Sequence, residues 1–208
     1  MFKICKIIIL LIFVSFPLSV NAHVQHYEDL NRIEFDIYRN NKHIGTHIFS
    51  FKKSEGQLAV ESEINFEIKK LGIVFYRYHV KGTEIYKAGR LIKFNSKTNQ
   101  NGKHKYANLK LEDGEYTIDG SSYKGKAPED YLLGTWWNHS IVKAKAQISA
   151  VSGRIIKQKV TFLGKETIKF GDKSYNALHY NFSSTDKKLN KDKKLNTDVW
   201  YDEKTLNW

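Results

Sequence analysis

The chain has 208 residues, a formal net charge of +12, one cysteine and two prolines. A single cysteine excludes an intramolecular disulfide framework and a cysteine-rich zinc site. Only five of the 34 basic residues are arginine, the side chain whose planar fork recognises phosphate, so the composition argues against nucleic-acid binding. A lysine excess spread along the chain is typical of a solubility feature or of attraction to anionic lipid or lipopolysaccharide surfaces.

Residues 1–22 are predicted to form a cleavable secretory signal with a signal helix. Lys3 and Lys6 precede the mostly apolar stretch 7–16, and Val20-Asn21-Ala22 has small residues where a signal peptidase cleaves. This apolar stretch is too short for a membrane span, which needs about 20 residues, and no later stretch is longer. We therefore expect cleavage after Ala22, export to a bacterial periplasm, and no membrane span in the remaining chain.

The dominant sequence period after the signal is two, the repeat of a half-buried β-strand. Residues 57–69 show it best, since Leu58, Val60, Ile64 and Phe66 alternate with charged and polar residues. Further strands are predicted over 33–37, 44–52, 75–86, 90–95, 105–112, 116–118, 148–152, 156–163, 166–170, 173–183 and 195–201. Turn dipeptides separate many of them: Asn40-Asn41, Glu55-Gly56, Ala88-Gly89, Asn101-Gly102, Asp113-Gly114, Asp119-Gly120 and Gly171-Asp172.

This pattern predicts a mostly β protein with one domain over residues 23–208. We expect a single antiparallel, strongly curved sheet that forms a barrel or half-open barrel. The region near 130–145, which follows Pro128, is predicted to contain a short helix. The chain stops at 206–208, just after a strand and a turn, which predicts either a truncated C-terminus or an open sheet edge.

No motif predicts a catalytic centre, a metal site or a cofactor. Residues 120–127 approach the phosphate-loop pattern, but Ala127 replaces the hydroxyl residue that would bind magnesium. His43 and His47 are separated by about 13 Å along a strand, too far apart to share a metal ion. Ser-x-x-Lys matches are expected by chance in a chain with this many lysines.

Aromatic residues supply the candidate ligand-binding positions. Successive residues of a strand face opposite sides, so the pairs Trp136-Trp137 and Trp200-Tyr201 are each predicted to place one ring inside and one outside. Core packing is the default interpretation of every such ring, while exposed rings beside lysine suit lipid headgroups or a glycan. The candidate residues are Tyr76, Arg77, Tyr78, Trp136, Trp137, His179, Trp200 and Tyr201.

Five short stretches together resemble a bacterial family. In order, they are Ile44-Gly45-Thr46-His47, Phe75-Tyr76-Arg77-Tyr78, Gly89-Arg90-Leu91, the run 96–102 and Val199-Trp200-Tyr201-Asp202. They resemble exported bacterial proteins of domain of unknown function 6134, which are related to another β-rich exported family. The resemblance covers most of the chain after the signal. It implies an antiparallel β fold and supplies no mechanism.

Three functions remain open on the sequence alone. The first is a non-enzymatic periplasmic module that binds an apolar or amphipathic ligand or the cell envelope. The second is a protein-partner or envelope-assembly factor that uses an open sheet edge for strand addition. The third is a hydrolase of envelope material, with polar candidates His139, Asp202, His179, Arg77, Glu61 and Glu63.

Overall fold

The computed structural model of the protein describes Tyr27, residues 29–186 and residues 194–208. The predicted signal peptide, residues 1–22, lies outside this part of the chain. None of the helices formed by the described residues is long and apolar enough to cross a membrane.

Eight consecutive strands form an antiparallel sheet in which each strand pairs with the next along the chain. The strands are β1 (Arg32–Arg39), β2 (Lys42–Ser54), β3 (Gln57–Lys70), β4 (Ile73–Lys87), β5 (Arg90–Gln100), β6 (Lys103–Glu112), β7 (Glu115–Gly120) and β8 (Lys124–Pro128). Two-residue turns join most of them, because residues with positive φ match the twist of a hairpin. The predicted turns Asn40-Asn41, Glu55-Gly56, Ala88-Gly89, Asn101-Gly102 and Asp113-Gly114 are confirmed by positive φ at both residues.

A second sheet contains five strands in the order β13-β12-β11-β10-β9. The strands are β9 (Leu132–Leu133), β10 (Ala146–Ile148), β11 (Ile155–Phe170), β12 (Lys173–Ser184) and β13 (Asn196–Asp202). β9 and β10 are parallel, and the other neighbours are antiparallel. β13 lies at one edge of this sheet.

The mostly β, antiparallel prediction is confirmed, but the single barrel or half-open barrel is wrong. The structure has two open sheets, and β1 and β8 do not pair with each other. β8 ends at Pro128, whose ring removes a backbone donor, and the chain then leaves the first sheet.

Two local predictions also need correction. The short helix predicted near 130–145 is a single 3₁₀ helix, His139–Lys143, whose first turn is capped by the Asn138 side chain. Of the strand predicted over 148–152, only Ile148 lies in a strand, as the last residue of β10. The residues after it form a turn, in which the Ser149 carbonyl accepts hydrogen bonds from the backbone N–H groups of Ser152 and Gly153. Residues 156–163 and 166–170 are parts of one strand, β11, which has a register irregularity between Phe162 and Gly164.

The core lies on one face of the eight-stranded sheet, which we call the inner face. Alternate residues point into it because side chains of a strand alternate between faces. Buried examples are Phe49, Phe51, Leu58, Val60, Phe94, Leu109 and Ile118. A second buried cluster contains Ile141, Phe182, Val199 and Tyr201. The Trp208 ring connects the two clusters, with its centroid 4.4 Å from Phe35 and 5.9 Å from Trp136.

Two hydroxyl groups on the inner face of β5 lead to a stability prediction. The Ser96 hydroxyl donates to the Ala150 carbonyl at 2.5 Å, whereas the buried Thr98 hydroxyl has no hydrogen-bond partner among the described residues. We expect Thr98→Val to raise the free energy of unfolding by about 1 kcal/mol, because a methyl group replaces an unsatisfied polar atom. The matched Ser96→Ala change should lower it by about 1 kcal/mol.

Urea unfolding of the two variants checks this prediction. A loss of stability in Thr98→Val would contradict it, since that result would mean that the Thr98 hydroxyl has a partner in solution.

Candidate functional site

Trp137 occupies the centre of the core. It is 0 % exposed, and its ring makes edge-on contacts with Tyr27, Phe51 and Tyr86 at centroid distances of 5.1, 5.2 and 5.5 Å. Its indole N–H donates to Oε1 of Glu84 at 2.9 Å. This candidate from the sequence therefore packs in the core.

Glu84 is a buried carboxyl group that the sequence interpretation missed. It also accepts a hydrogen bond from the Tyr86 hydroxyl at 2.6 Å. Burial raises the pKa of Glu84 from 4.5 to about 7, although the hydrogen bonds from Tyr86 and Trp137 act in the opposite direction. Its burial could have been predicted from β4, because Glu84 lies an even number of residues from Val80 and Tyr86 and therefore shares the face of the strand that packs in the core.

Tyr201 and Trp136 lie in the second cluster. Tyr201 is fully buried, and its hydroxyl donates to the Trp136 carbonyl at 2.8 Å. Trp136 has a φ of +59° and a half-buried side chain, whose indole N–H makes no hydrogen bond with the described residues. Trp200 is only partly buried next to buried Tyr201, as strand alternation predicts for this pair.

His179 and Trp200 belong to a network that joins three strands. His179 Nδ1 lies 2.6 Å from Glu166 Oε1, and Nε2 lies 3.6 Å from Asp198 Oδ1. The Trp200 ring stacks on the imidazole at 4.2 Å, and its N–H donates to Glu166 Oε2 at 3.0 Å. The Trp200 hydrogen bond, followed by that of His179, lowers the pKa of Glu166.

This network has the histidine–carboxylate pair that a hydrolase needs, but its geometry favours a structural role. Nδ1 of His179 is bonded to Glu166 and one ring face is covered by Trp200. Nε2 is buried, makes no hydrogen bond with the described residues and lies 3.6 Å from Asp198, so no side of the ring is open to a substrate. The sequence interpretation missed Glu166 and Asp198. The pairing of β11 with β12 around Gly171-Asp172, which brings Glu166 near His179, was the signal for one of them.

The other polar candidates for hydrolysis have separate partners. Glu61 accepts from Lys52 at 2.8 Å, and Glu63 pairs with His79 at 2.9 Å. Asp202 accepts hydrogen bonds from the backbone of Lys204 and Thr205, which holds the last turn. His139 is buried against the rings of Tyr180 and Tyr201. Within the described ranges, no group of three or more histidine, cysteine and acidic side chains is placed to hold a metal ion.

Tyr76, Arg77 and Tyr78 lie near the end of the β3–β4 hairpin. The rings of Tyr76 and Tyr78 stack on Phe66 at 6.0 and 5.0 Å. Arg77 lies on the opposite face, where its Nε donates to Glu67 at 2.7 Å. The sequence therefore identified two faces of one hairpin rather than a single binding site.

Exposed apolar side chains are concentrated on two hairpins. Of the nine large hydrophobic side chains that are exposed in the described part of the chain, eight lie on β3–β4 or β11–β12. The first set is Leu71, Ile73 and Phe75, and the second is Phe162, Leu163, Ile168, Phe170 and Tyr175. Leu71 is 94 % exposed and Phe170 is 76 % exposed, so these residues do not pack against the rest of the protein.

Both hairpins extend beyond their neighbouring strands. β3 pairs with β2 only as far as Phe66, and β4 pairs with β5 only as far as Tyr78, so the turn at Leu71-Gly72 ends a two-stranded projection. In the second sheet, β13 pairs with β12 only as far as Ala177. We call these two-stranded projections, 67–77 and 166–176, the hairpin tips.

Lysine residues flank the apolar residues of both hairpin tips. Lys69 and Lys70 precede Leu71, while Lys169 and Lys173 flank Phe170. Lys69 lies 3.2 Å from Glu67, whereas Lys70, Lys169 and Lys173 have no acidic partner within the described residues. Both tips therefore combine exposed apolar area with lysine side chains, but their net charges differ. The β3–β4 tip has a net charge of +2, whereas Glu166 and Asp172 balance Lys169 and Lys173 in the β11–β12 tip.

Comparison with curated proteins and with solved structures finds no match to the chain. A family model described as Domain of unknown function (DUF6134) matches residues 35–208. The match includes all the strands from β2 to β13 and both hairpin tips. The chain belongs to this family, as the five stretches in its sequence indicated.

Proposed function

We propose that the protein is a non-enzymatic binding module, exported to the periplasm, that docks on an anionic lipid surface of the cell envelope through its two hairpin tips. The observation that carries this proposal is the position of the exposed apolar side chains, eight of nine of which lie on the β3–β4 and β11–β12 hairpins.

An isolated two-stranded hairpin is only marginally stable in water, and large exposed apolar patches mark interaction sites. Phe75 and Phe170, at 69 % and 76 % exposed, lie on projections that no third strand supports. Transfer of such rings to a lipid interface removes apolar area from water, which contributes about 25 cal/mol per Å². A lipid surface thus offers these tips a favourable environment that water does not.

The positive charge of the β3–β4 tip favours an anionic surface. Lys70 lies beside Leu71 without an acidic partner in the described part of the chain, and the β3–β4 tip has a net charge of +2. Lys169 and Lys173 flank Phe170 in the β11–β12 tip, whose net charge is zero. Each lysine close to an anionic membrane surface contributes about 1 kcal/mol of attraction. Anionic lipid should therefore bind better than zwitterionic lipid, and added salt should weaken the binding.

Co-sedimentation of the full chain with vesicles tests the proposal. We expect binding to vesicles that contain phosphatidylglycerol and weak binding to pure phosphatidylcholine. Phe75→Ser and Phe170→Ser should each weaken binding about tenfold, because each removes a large apolar side chain from the interface.

Phe75→Leu and Phe170→Leu are the matched controls, since they keep an apolar side chain at the same position. They should bind within about twofold of the unmodified protein. Equal binding by the serine variants and the unmodified protein would contradict a role of the tips. A circular dichroism spectrum that is unchanged by the serine substitutions excludes loss of fold as the cause.

A further inference from the structure

A strip of apolar side chains continues the inner face of the eight-stranded sheet from the core towards the β3–β4 hairpin tip. Both strands contribute to it, because side chains of a strand alternate between faces and its members share the face of buried Val60 and Glu84. We call it the inner-face strip. It consists of three cross-strand pairs of β3 and β4: Ile64 with Val80, Phe66 with Tyr78, and Ile68 with Tyr76.

The opposite face of the same two strands is polar. There Glu63 contacts Lys81 at 3.4 Å, and Glu67 contacts Arg77 at 2.7 Å. The inner-face strip, by contrast, has no charged side chain. The two faces of this part of the sheet are therefore suited to different environments, water on one side and apolar material on the other.

Neither hydrophobic cluster of the described residues covers the inner-face strip. None of its six side chains belongs to the cluster around Trp137 or to the one around Tyr201, or packs against either of them. Five of the six are partly exposed, and Val80 is 4 % exposed. Burial raises the pKa of Tyr78 to about 12, as expected for a phenol in apolar surroundings. The described part of the chain thus leaves an apolar surface partly open to a further molecule.

The dimensions of the inner-face strip select its occupant. Ile64 and Ile68 are separated by about 13 Å along the strand, and neighbouring strands lie about 5 Å apart. A protein partner typically covers about 800 Å² on each side, far more than such a strip offers. Half of the hydrocarbon core of a bilayer is about 15 Å thick, so a single acyl chain has the length of the strip.

We propose that the inner-face strip binds one acyl chain of an anionic phospholipid. Ile68 and Tyr76 lie in the β3–β4 hairpin tip, so the strip leads from the surface that docks on lipid into the body of the sheet. The choice of a phospholipid as the source of the chain rests on the proposed function. Binding removes apolar area of both the chain and the strip from water, which contributes about 25 cal/mol per Å².

Calorimetric titration of the full chain with monomeric lysophosphatidylglycerol tests the proposal, because this probe has one acyl chain and forms no vesicle. We expect saturable binding that Ile64→Ser weakens about tenfold, since a large apolar side chain is lost from the strip. Ile68→Ser should have a similar effect, at a position where β2 no longer pairs with β3. Ile64→Leu is the matched control and should bind within about twofold of the unmodified protein.

No saturable binding of lysophosphatidylglycerol would overturn the proposal, as would unchanged affinity in both serine variants. Circular dichroism spectra that match the unmodified protein exclude loss of fold as the cause of weakened binding. Glycerophosphoglycerol, which has the headgroup without the chain, should not compete, and competition would overturn the proposal. A dimer that Ile64→Ser dissociates would also overturn it, because a second copy would then cover the strip.

Failure of the acyl-chain site and failure of vesicle docking are separate outcomes. Phe75→Ser should weaken vesicle binding and keep the affinity for monomeric lysophosphatidylglycerol, whereas Ile64→Ser should do the reverse. An unmodified protein that binds the monomeric probe but not vesicles would support the acyl-chain site and contradict the proposed function. Binding to vesicles without binding of the probe would overturn the acyl-chain site and leave the proposed function standing.

Discussion

Replacing Glu84 by glutamine is expected to remove a pH dependence of stability worth about 3 kcal/mol. The pKa of Glu84 rises from 4.5 to about 7 because the carboxyl group is fully buried. Between these values the folded protein keeps the proton and the unfolded chain releases it. The contribution of Glu84 to the free energy of unfolding is therefore fully present below pH 4.5 and is lost as the pH rises through 7.

Glutamine stays neutral at every pH, and it preserves the main contacts of the site. Its carboxamide oxygen can accept from the Trp137 N–H, and its NH₂ group can donate to the Tyr86 hydroxyl. Urea unfolding at several pH values between 4.5 and 8 measures the difference in stability between Glu84→Gln and the unmodified protein. This difference should move in favour of the variant by about 3 kcal/mol across the range. A difference that does not change with pH would contradict a raised pKa.

Replacing His47 by phenylalanine is expected to remove a pH dependence of the opposite sign. His47 lies among aromatic rings, with Phe49 at 4.4 Å and Trp208 at 5.5 Å, and burial lowers its pKa from 6.5 to about 4. Between pH 6.5 and about pH 4, the His47 imidazole is protonated in the unfolded chain but stays neutral in the folded protein. The contribution of His47 is therefore present above pH 6.5 and is lost as the pH falls through 4, by about 3 kcal/mol.

Urea unfolding from pH 4 to 7.5 measures the free energy of unfolding of His47→Phe and of the unmodified protein. The quantity to compare is its slope against pH in the two proteins. His47→Phe should lose less stability than the unmodified protein as the pH falls. An identical slope in both proteins would mean that the imidazole is protonated normally in the folded state.

The pH dependences of stability that Glu84 and His47 cause have opposite signs, so they partly cancel in the unmodified protein. Their windows overlap between pH 4.5 and 6.5, where the contribution of Glu84 falls with rising pH while that of His47 increases. Each single variant should therefore reveal the slope of the other residue, and the double variant should lack both slopes. Exposed carboxylates with lowered pKa values, such as Glu166, contribute equally to all these proteins and cancel in the comparison.

The sequence analysis predicted several residues of the candidate site individually, but not which of them lie together. The list of ligand-binding candidates contains His179 and Trp200, which form one network, but it also contains Trp137 and Tyr201, which are fully buried. The sequence pattern does not distinguish an aromatic residue of the core from one of a binding surface, because both environments remove the ring from water. The exposed tip residues Leu71 and Phe170 were missed for the same reason, since an apolar residue in a strand pattern is normally assigned to the core.

The sequence by itself determined most of the long strands and most of the two-residue turns, but not the short strands β8, β9 and β10. The alternation over 57–69 predicted β3 to within one residue of its observed end, and Asn101-Gly102 and Asp113-Gly114 are turns with positive φ, as expected. These features are local, because they depend on backbone preferences and on the period of a half-buried strand. The same local stretches also identified the family.

Only the tertiary structure decided that the strands form two open sheets rather than a barrel. Closure depends on whether β1 meets β8, which lie far apart along the chain, and no local pattern reports such a contact. Long-range packing also decided that Glu84 is buried beneath Trp137 and that the tips of β3–β4 and β11–β12 project without a third strand. Burial and exposure are properties of the whole packed molecule, so the side chains that carry the functional proposals became visible only in the fold.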